Sequence, residues 1–185
     1  MKKLILGAFA MICLIGINPV NAQEKESPNF SKLDASPMDM AMFRNKEDKA
    51  VARIIYSRPQ KREREVFGKL VPYGKVWRTG ANEATELTLF TDMKIADVTV
   101  KAGTYSLYTI PNEKEWTVIL NNSTNTWGAY EYTDEEDKVR INVPVRDSKN
   151  TIEALSMAFE ETAEGVDLLI GWDDKYVKVP FKNIK

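Results

Sequence analysis

The stretch KVRINVPV, residues 138–145, places Val139, Ile141, Val143 and Val145 at every second position. Lys138, Arg140 and Asn142 fill the gaps. A side-chain period of two is that of a half-buried strand, whereas a helix would scatter the four apolar residues around its circumference. The same rhythm extends in both directions. Upstream lie SPMDMAMF (36–43), KAVARIIYSRP (49–59), TELTLFT (85–91), ADVTVKAG (96–103), TYSLYTIP (104–111) and EWTVILN (115–121). In the second of these, Val51, Arg53 and Ile55 take one side while Ala52, Ile54 and Tyr56 take the other, and Pro59 ends the run. Downstream, IEALSMAFE (152–160) puts Leu155, Met157 and Phe159 on one face, although Ala, Leu, Met and Glu are good helix formers. GVDLLIGW (165–172) and YVKVPF (176–181) follow, and an expected turn at Asp173-Asp174 makes the last three runs a meander.

These runs amount to about nine short strands with turn signals between them, the pattern of an all-β sandwich or barrel. No βαβ rhythm and no solenoid-length repeat is visible. The expected fold is a single antiparallel β-sandwich over residues 36–185, with a jelly roll as a variant arrangement. The connection from Arg58 to Trp77 forms a helical or loop insertion, with a short helix expected at Arg64–Leu70, stopped by Pro72 and a Tyr73-Gly74 turn.

The N-terminus, MKKLILGAFAMICLIGINPVNAQ, reads as a secretory signal peptide over residues 1–22. Lys2 and Lys3 form its charged end, Leu4 to Ile17 its apolar core, and Val20-Asn21-Ala22 its cleavage site. Cys13 sits mid-core behind the bulky Ile12, which does not suit a lipid-attachment box. Residues 23–35 form a polar, flexible leader. The expectation is export to the periplasm or beyond, with no membrane span after cleavage.

Cleavage removes the single cysteine, and the chain has no histidine. The mature chain therefore has no disulfide, no Ser-His-Asp triad, no Cys-His pair and no Cys/His zinc site. Any general base must be Asp, Glu, Lys or Tyr. No metal site and no cofactor is expected. Loss of Lys2 and Lys3 leaves 24 of the 26 basic residues against 27 acidic ones, a net charge of −3. That mild balance gives no basis for nucleic-acid binding. The densest basic spot, RPQKRERE (58–65), contains its own acids and reads as a solvated face for most of its members.

The stretch WRTGANEAT, residues 77–85, packs Trp, Arg, Asn and Glu around a Gly. Arg78 offers a planar fork of donors suited to carboxylate or phosphate, Asn82 both donates and accepts, and Glu83 could act as a base, a hard-metal ligand or a partner for Arg78. Arg58 and Arg64 stand near in sequence. A connection that folds back would bring three arginines to one concave anion site. The structural alternative makes Arg78 and Glu83 an ion pair fixing a turn, with Asn82 bonded to backbone and Trp77 in the core. Glu86 lies three residues past Glu83, which strand alternation would place on another face. In the loop at 121–137, Trp127, Tyr130 and Tyr132 either stack on a ligand or cover a sheet edge, and Asp134 to Asp137 read as solvated acids.

The blocks YSRP (56–59), VFGKLVPYGKVWRTGANEAT (66–85), AGTYSLYTIP (102–111) and EWTVILN (115–121) resemble the secreted bacterial family catalogued as domain of unknown function 2911. The resemblance implies one extracytoplasmic domain and carries no established activity. The family usually has Gly-Arg ahead of its Phe-Gly pair, whereas Glu63-Arg64 stands here. Members are sometimes labelled asparagine synthetase, but this chain has no nucleotide-binding loop and no cysteine nucleophile after cleavage.

The leading functional reading is a secreted, non-catalytic module binding a small anionic or carbohydrate ligand or an envelope protein. Arg58, Arg64, Arg78, Asn82 and Glu83 would hold the ligand, with Tyr73 and Trp77 as pocket walls. The alternatives are a hydrolase with Glu83 as general base and Arg78 stabilising negative charge, and a purely structural envelope protein.

Overall fold

The computed structural model describes residues 27–184. The expected signal peptide and its cleavage site lie outside the described residues. Residues 33–184 belong to one compact unit, and residues 27–32 to another. Among the described residues no helix is long and apolar enough to cross a membrane.

The unit is built from two antiparallel sheets, as the period-two rhythm predicts. Ten strands make it up: β1 (Met38–Arg44), β2 (Ala50–Ser57), β3 (Thr85–Leu89), β4 (Met93–Ile95), β5 (Val98–Val100), β6 (Gly103–Pro111), β7 (Glu115–Asn121), β8 (Asp137–Pro144), β9 (Arg146–Glu161) and β10 (Gly165–Asn183). The larger sheet has the order β1-β2-β3-β6-β7-β8, and the smaller has β5-β4-β10-β9. Alternation decides which side chains meet between them. Ile54, Leu87, Leu107, Trp116 and Leu120 of the large sheet share one buried cluster with Leu155, Met157, Leu168, Ile170, Trp172 and Phe181 of the small one. Polar bonds also cross the core. The Tyr56 hydroxyl accepts the Met157 N–H at 2.9 Å.

Two local expectations are corrected. Arg64–Leu70 is not helical. Leu70 and Val71 donate to carbonyls five residues back, at Glu65 and Val66, and Gly68 (φ 88°) donates to Val71. The result is a tight loop that turns Val66, Phe67 and Val71 into the core. Asp173-Asp174 is not a hairpin turn either. β10 runs through it with bulges on both sides of Asp173 (φ 57°), so the strand bends and continues beside β9. RPQKRERE is exposed at Gln60 and from Arg62 to Glu65, as a mostly solvated face should be, but it is also tied down. Gln60 bridges Ala154, Lys61 N–H donates to the Glu153 carbonyl, and the Lys61 ammonium lies 3.5 Å from the Asp173 carboxylate, tying this segment along β9.

The large sheet has a second, outward-facing cluster. Tyr108 and Ile119 are neighbours across β6 and β7, and Ala84, Val76, Ala129 and Tyr132 pack on them. The loop between β7 and β8 thus folds over the outer face. Asp137 is its clasp rather than a solvated acid. Its carboxylate accepts from Asn121 Nδ2 (2.9 Å), the Tyr132 hydroxyl (2.8 Å) and Arg140 Nη1 (2.9 Å).

Candidate functional site

The stretch from Trp77 to Thr85 divides into two halves. The first is held on three sides. Trp77 exchanges backbone bonds with Thr109 of β6, at 2.7 and 2.9 Å. Its indole stacks on Trp172 (5.9 Å between centroids, 18° between planes) and meets Trp116 and Phe67 edge-on. The indole N–H donates to the Gly80 carbonyl at 3.1 Å. Thr79, at φ 55°, is buried and shares a hydroxyl bond with Thr109. Its carbonyl accepts the Thr85 hydroxyl at 2.9 Å. Gly80 runs so close to β2 that an added Cβ would lie 3.3 Å from the Ser57 carbonyl oxygen.

The second half reaches outward. Asn82 takes φ 59°, which asparagine tolerates better than most residues. Its side-chain amide donates to Asp34 Oδ1 at 3.1 Å. The Asn82 carbonyl accepts the Gly128 N–H, and the Ala84 N–H donates to the Thr126 carbonyl, both at 3.0 Å. Those two bonds flank a bridge between Glu83 and Trp127. The pattern is that of a non-hydrogen-bonded antiparallel pair, in which the side chains stand closest, with Cβ atoms about 4.5–5.5 Å apart. Both residues are exposed, Trp127 at 60%. Tyr130, 83% exposed, lies over Gly128. Of these aromatics only Tyr132 packs on the sheet, edge-on against Tyr108, and it covers the outer face rather than a sheet edge.

The other expected site residues go elsewhere. All three arms of the Arg58 guanidinium are occupied, by the Leu155 carbonyl (3.1 Å), Asp39 (2.8 Å) and the Ser156 hydroxyl (2.9 Å). Arg64 closes its own turn onto the Lys61 and Gln60 carbonyls. Tyr73 is exposed and borders a shallow depression with Asn112, Glu113 and Lys114. Partial burial and then the nearby Glu113 carboxylate raise its phenol above the ordinary range. The bonds of Arg58, Arg64 and Arg78 therefore do not converge on a shared partner. Arg78 and Glu83 do not form an ion pair, and among the described residues neither side chain has a hydrogen-bond or ionic partner. Arg78 Nε is buried in that condition.

A further difference concerns Glu86. Glu83 precedes β3 and sits in the bridge to Trp127, so strand alternation does not separate it from Glu86. Both border one cavity of about 210 Å³, with Met38, Ile55, Ser57, Asn125 and Thr126. Glu86 Oε1 accepts the Asn125 N–H at 2.7 Å. Sequence reasoning did not single out Ser57 or Asn125. Ser57 carries no local signal, because its role depends on a loop packed across the sheet.

Fold and site together define an all-β sandwich bearing an aromatic and acidic rim on the outer face of its larger sheet. The chain belongs to the family described as a protein of unknown function, DUF2911, whose model matches residues 36–181. Comparison with curated proteins and with solved structures returns no match.

Proposed function

We propose that this protein is an exported, non-catalytic module that binds a carbohydrate ligand at the rim formed by Glu83 and Trp127. The observation that carries the reading is the side-by-side placement of an exposed indole and a carboxylate without a protein partner. An indole face packs against the C–H face of a sugar ring, and a carboxylate accepts two of its hydroxyls. The backbone of both residues is fixed by flanking hydrogen bonds, so little backbone freedom is lost on binding. Tyr130 extends the aromatic surface, and Arg78 supplies a guanidinium for an acidic substituent on the ligand. Export rests on the character of residues 1–22.

The test is calorimetric titration of the exported chain with neutral oligosaccharides. Trp127→Ala is expected to weaken binding by about tenfold or more, since aromatic anchors commonly dominate binding energy. Equal binding by wild type and Trp127→Ala would overturn the reading.

A hydrolase is the second reading, favoured by the cavity that Glu83 and Glu86 share. Two carboxylates on one cavity are the minimum equipment of a glycosidase. Glu83→Gln separates the two. A binding module keeps most of its affinity and has no turnover to lose, whereas an enzyme binds the substrate and stops releasing product.

A further inference from the structure

The cavity behind the rim has a chemical character of its own. Its floor is the outer face of the large sheet, where Met38 pairs across strands with Ser57, and Ile55 with Glu86. Met38 and Ile55 are its apolar walls, and Glu83 and Glu86 line the same space. Ser57 is only 3% exposed, yet its hydroxyl has no hydrogen-bond partner among the described residues. That hydroxyl is not sealed off from the cavity, and a group carrying N–H donors could pair with it and with the glutamates beside it. One kind of ligand group matches this set of acceptors.

We propose that this cavity receives a primary ammonium group. The proposal rests on the binding reading above and names the substituent that the ligand carries. An ammonium has three N–H donors and no acceptor. The cavity offers three kinds of acceptor to match: the Glu83 carboxylate, the free oxygen of Glu86, and the Ser57 hydroxyl. The carbon skeleton attached to the amine lies against Met38 and Ile55. A calcium ion would need six to eight oxygens, which this partly apolar cavity does not supply. An anion would face two carboxylates. Aminated sugars and lysine side chains share the required chemistry. They differ in whether a sugar ring also reaches Trp127.

The experiment is calorimetric titration of the exported chain with three probes: a short oligomer of glucosamine, its fully N-acetylated counterpart, and Nα-acetyl-lysine methylamide. Acetylation removes the charge and leaves the ring. The glucosamine oligomer is expected to bind about tenfold more tightly than the acetylated one, the scale of a charge-assisted contact. That preference should disappear in Glu86→Gln and in Ser57→Ala. Melting temperatures close to wild type would show that both variants are folded, and Glu86→Gln keeps an oxygen for the Asn125 N–H. If lysine binds in wild type but not in Glu86→Gln, and Trp127→Ala leaves that binding unchanged, the ammonium site stands and the carbohydrate reading falls. If both oligomers bind equally and depend on Trp127, the carbohydrate reading stands and the ammonium site is overturned. A preference for amine that survives in both Glu86→Gln and Ser57→Ala also overturns it. If no probe binds, both readings fall.

Discussion

Replacing Trp77 by alanine should unfold the protein more easily without acting through any ligand. Trp77 stacks on Trp172 at 5.9 Å, meets Trp116 and Phe67 edge-on at 6.5 and 6.4 Å, and donates its indole N–H to Gly80. Truncating a buried tryptophan costs about 3–5 kcal/mol. Trp77 is only partly buried, so the lower end applies, and the lost indole bond is included in about 3 kcal/mol. In a domain of this size each kcal/mol lowers the melting temperature by about 2–4 °C, so a fall of about 6–12 °C is expected. Trp77→Phe keeps some aromatic contact and should recover roughly half. A double-mutant cycle with Trp172→Ala should give a coupling of about 1 kcal/mol, the scale of one aromatic pair. The assay is equilibrium denaturation in urea, read by far-ultraviolet circular dichroism, with no ligand present. A loss below about 1 kcal/mol for Trp77→Ala, or no coupling to Trp172, would refute the placement of this indole as the joint between the sheets.

Two further predictions concern the clasp that holds the aromatic loop. Asp137→Asn replaces an oxygen that accepts from Asn121, Tyr132 or Arg140 with an amide N–H₂, leaving a donor facing a donor. A loss of about 2–4 kcal/mol is expected in the same urea assay, and a change within 0.5 kcal/mol, roughly the scatter of surface substitutions, would refute the clasp. The Tyr132 phenol is pushed up to about 12, by burial first and then by its bond to the Asp137 carboxylate. The folded state thus holds this proton more tightly than the unfolded chain, whose phenol titrates near 10. The associated stability is fully present below about pH 10 and is lost as pH rises toward 12, amounting to about 1–2 kcal/mol after discounting for solvent. Tyr132→Phe should flatten that alkaline limb of the stability profile. An identical limb in wild type and variant would rule out Tyr132 as its source.

How far the sequence could be read depended on the range of the forces involved. Alternation is a property of neighbours, so β2, β6, β7 and β8 were visible as period-two runs, and even the helix-forming composition of β9 did not hide its Leu155, Met157 and Phe159 face. β4 was not visible, because Met93–Ile95 is too short to establish a period. At Asp173-Asp174 the residues are those of a turn, but tertiary packing on both flanks carries β10 straight through as a bulged strand. Arg64–Leu70 has helix-forming residues, and the burial of Val66, Phe67 and Val71 in one short loop overrides them. The site was legible only in part for the same reason. Glu83, Arg78 and Trp127 stand out as residue types, but no local rule pairs Glu83 with Trp127. Arg58 looked like a ligand residue because its partners Asp39, Leu155 and Ser156 come from distant parts of the chain.

The structure also changes the question that WRTGANEAT poses, because its two halves answer differently. Trp77, Thr79 and Gly80 face inward, bonded to β3 and β6 and running close to β2, so substitutions there act on stability. Asn82, Glu83 and Ala84 lie along the 126–128 strip and hold the exposed indole in place, so substitutions there act on the rim. A purely structural turn would not need an exposed tryptophan opposite a carboxylate without a protein partner, and the ion pair that would justify Glu83 structurally is not formed. Removing Arg78 therefore breaks no salt bridge. It deletes a partly buried guanidinium with an unsatisfied Nε, and a change of that kind can be close to neutral for folding. Stability that is insensitive to Arg78 but sensitive to Trp77 is the signature that separates a binding rim built on a structural turn from a turn that is structural throughout.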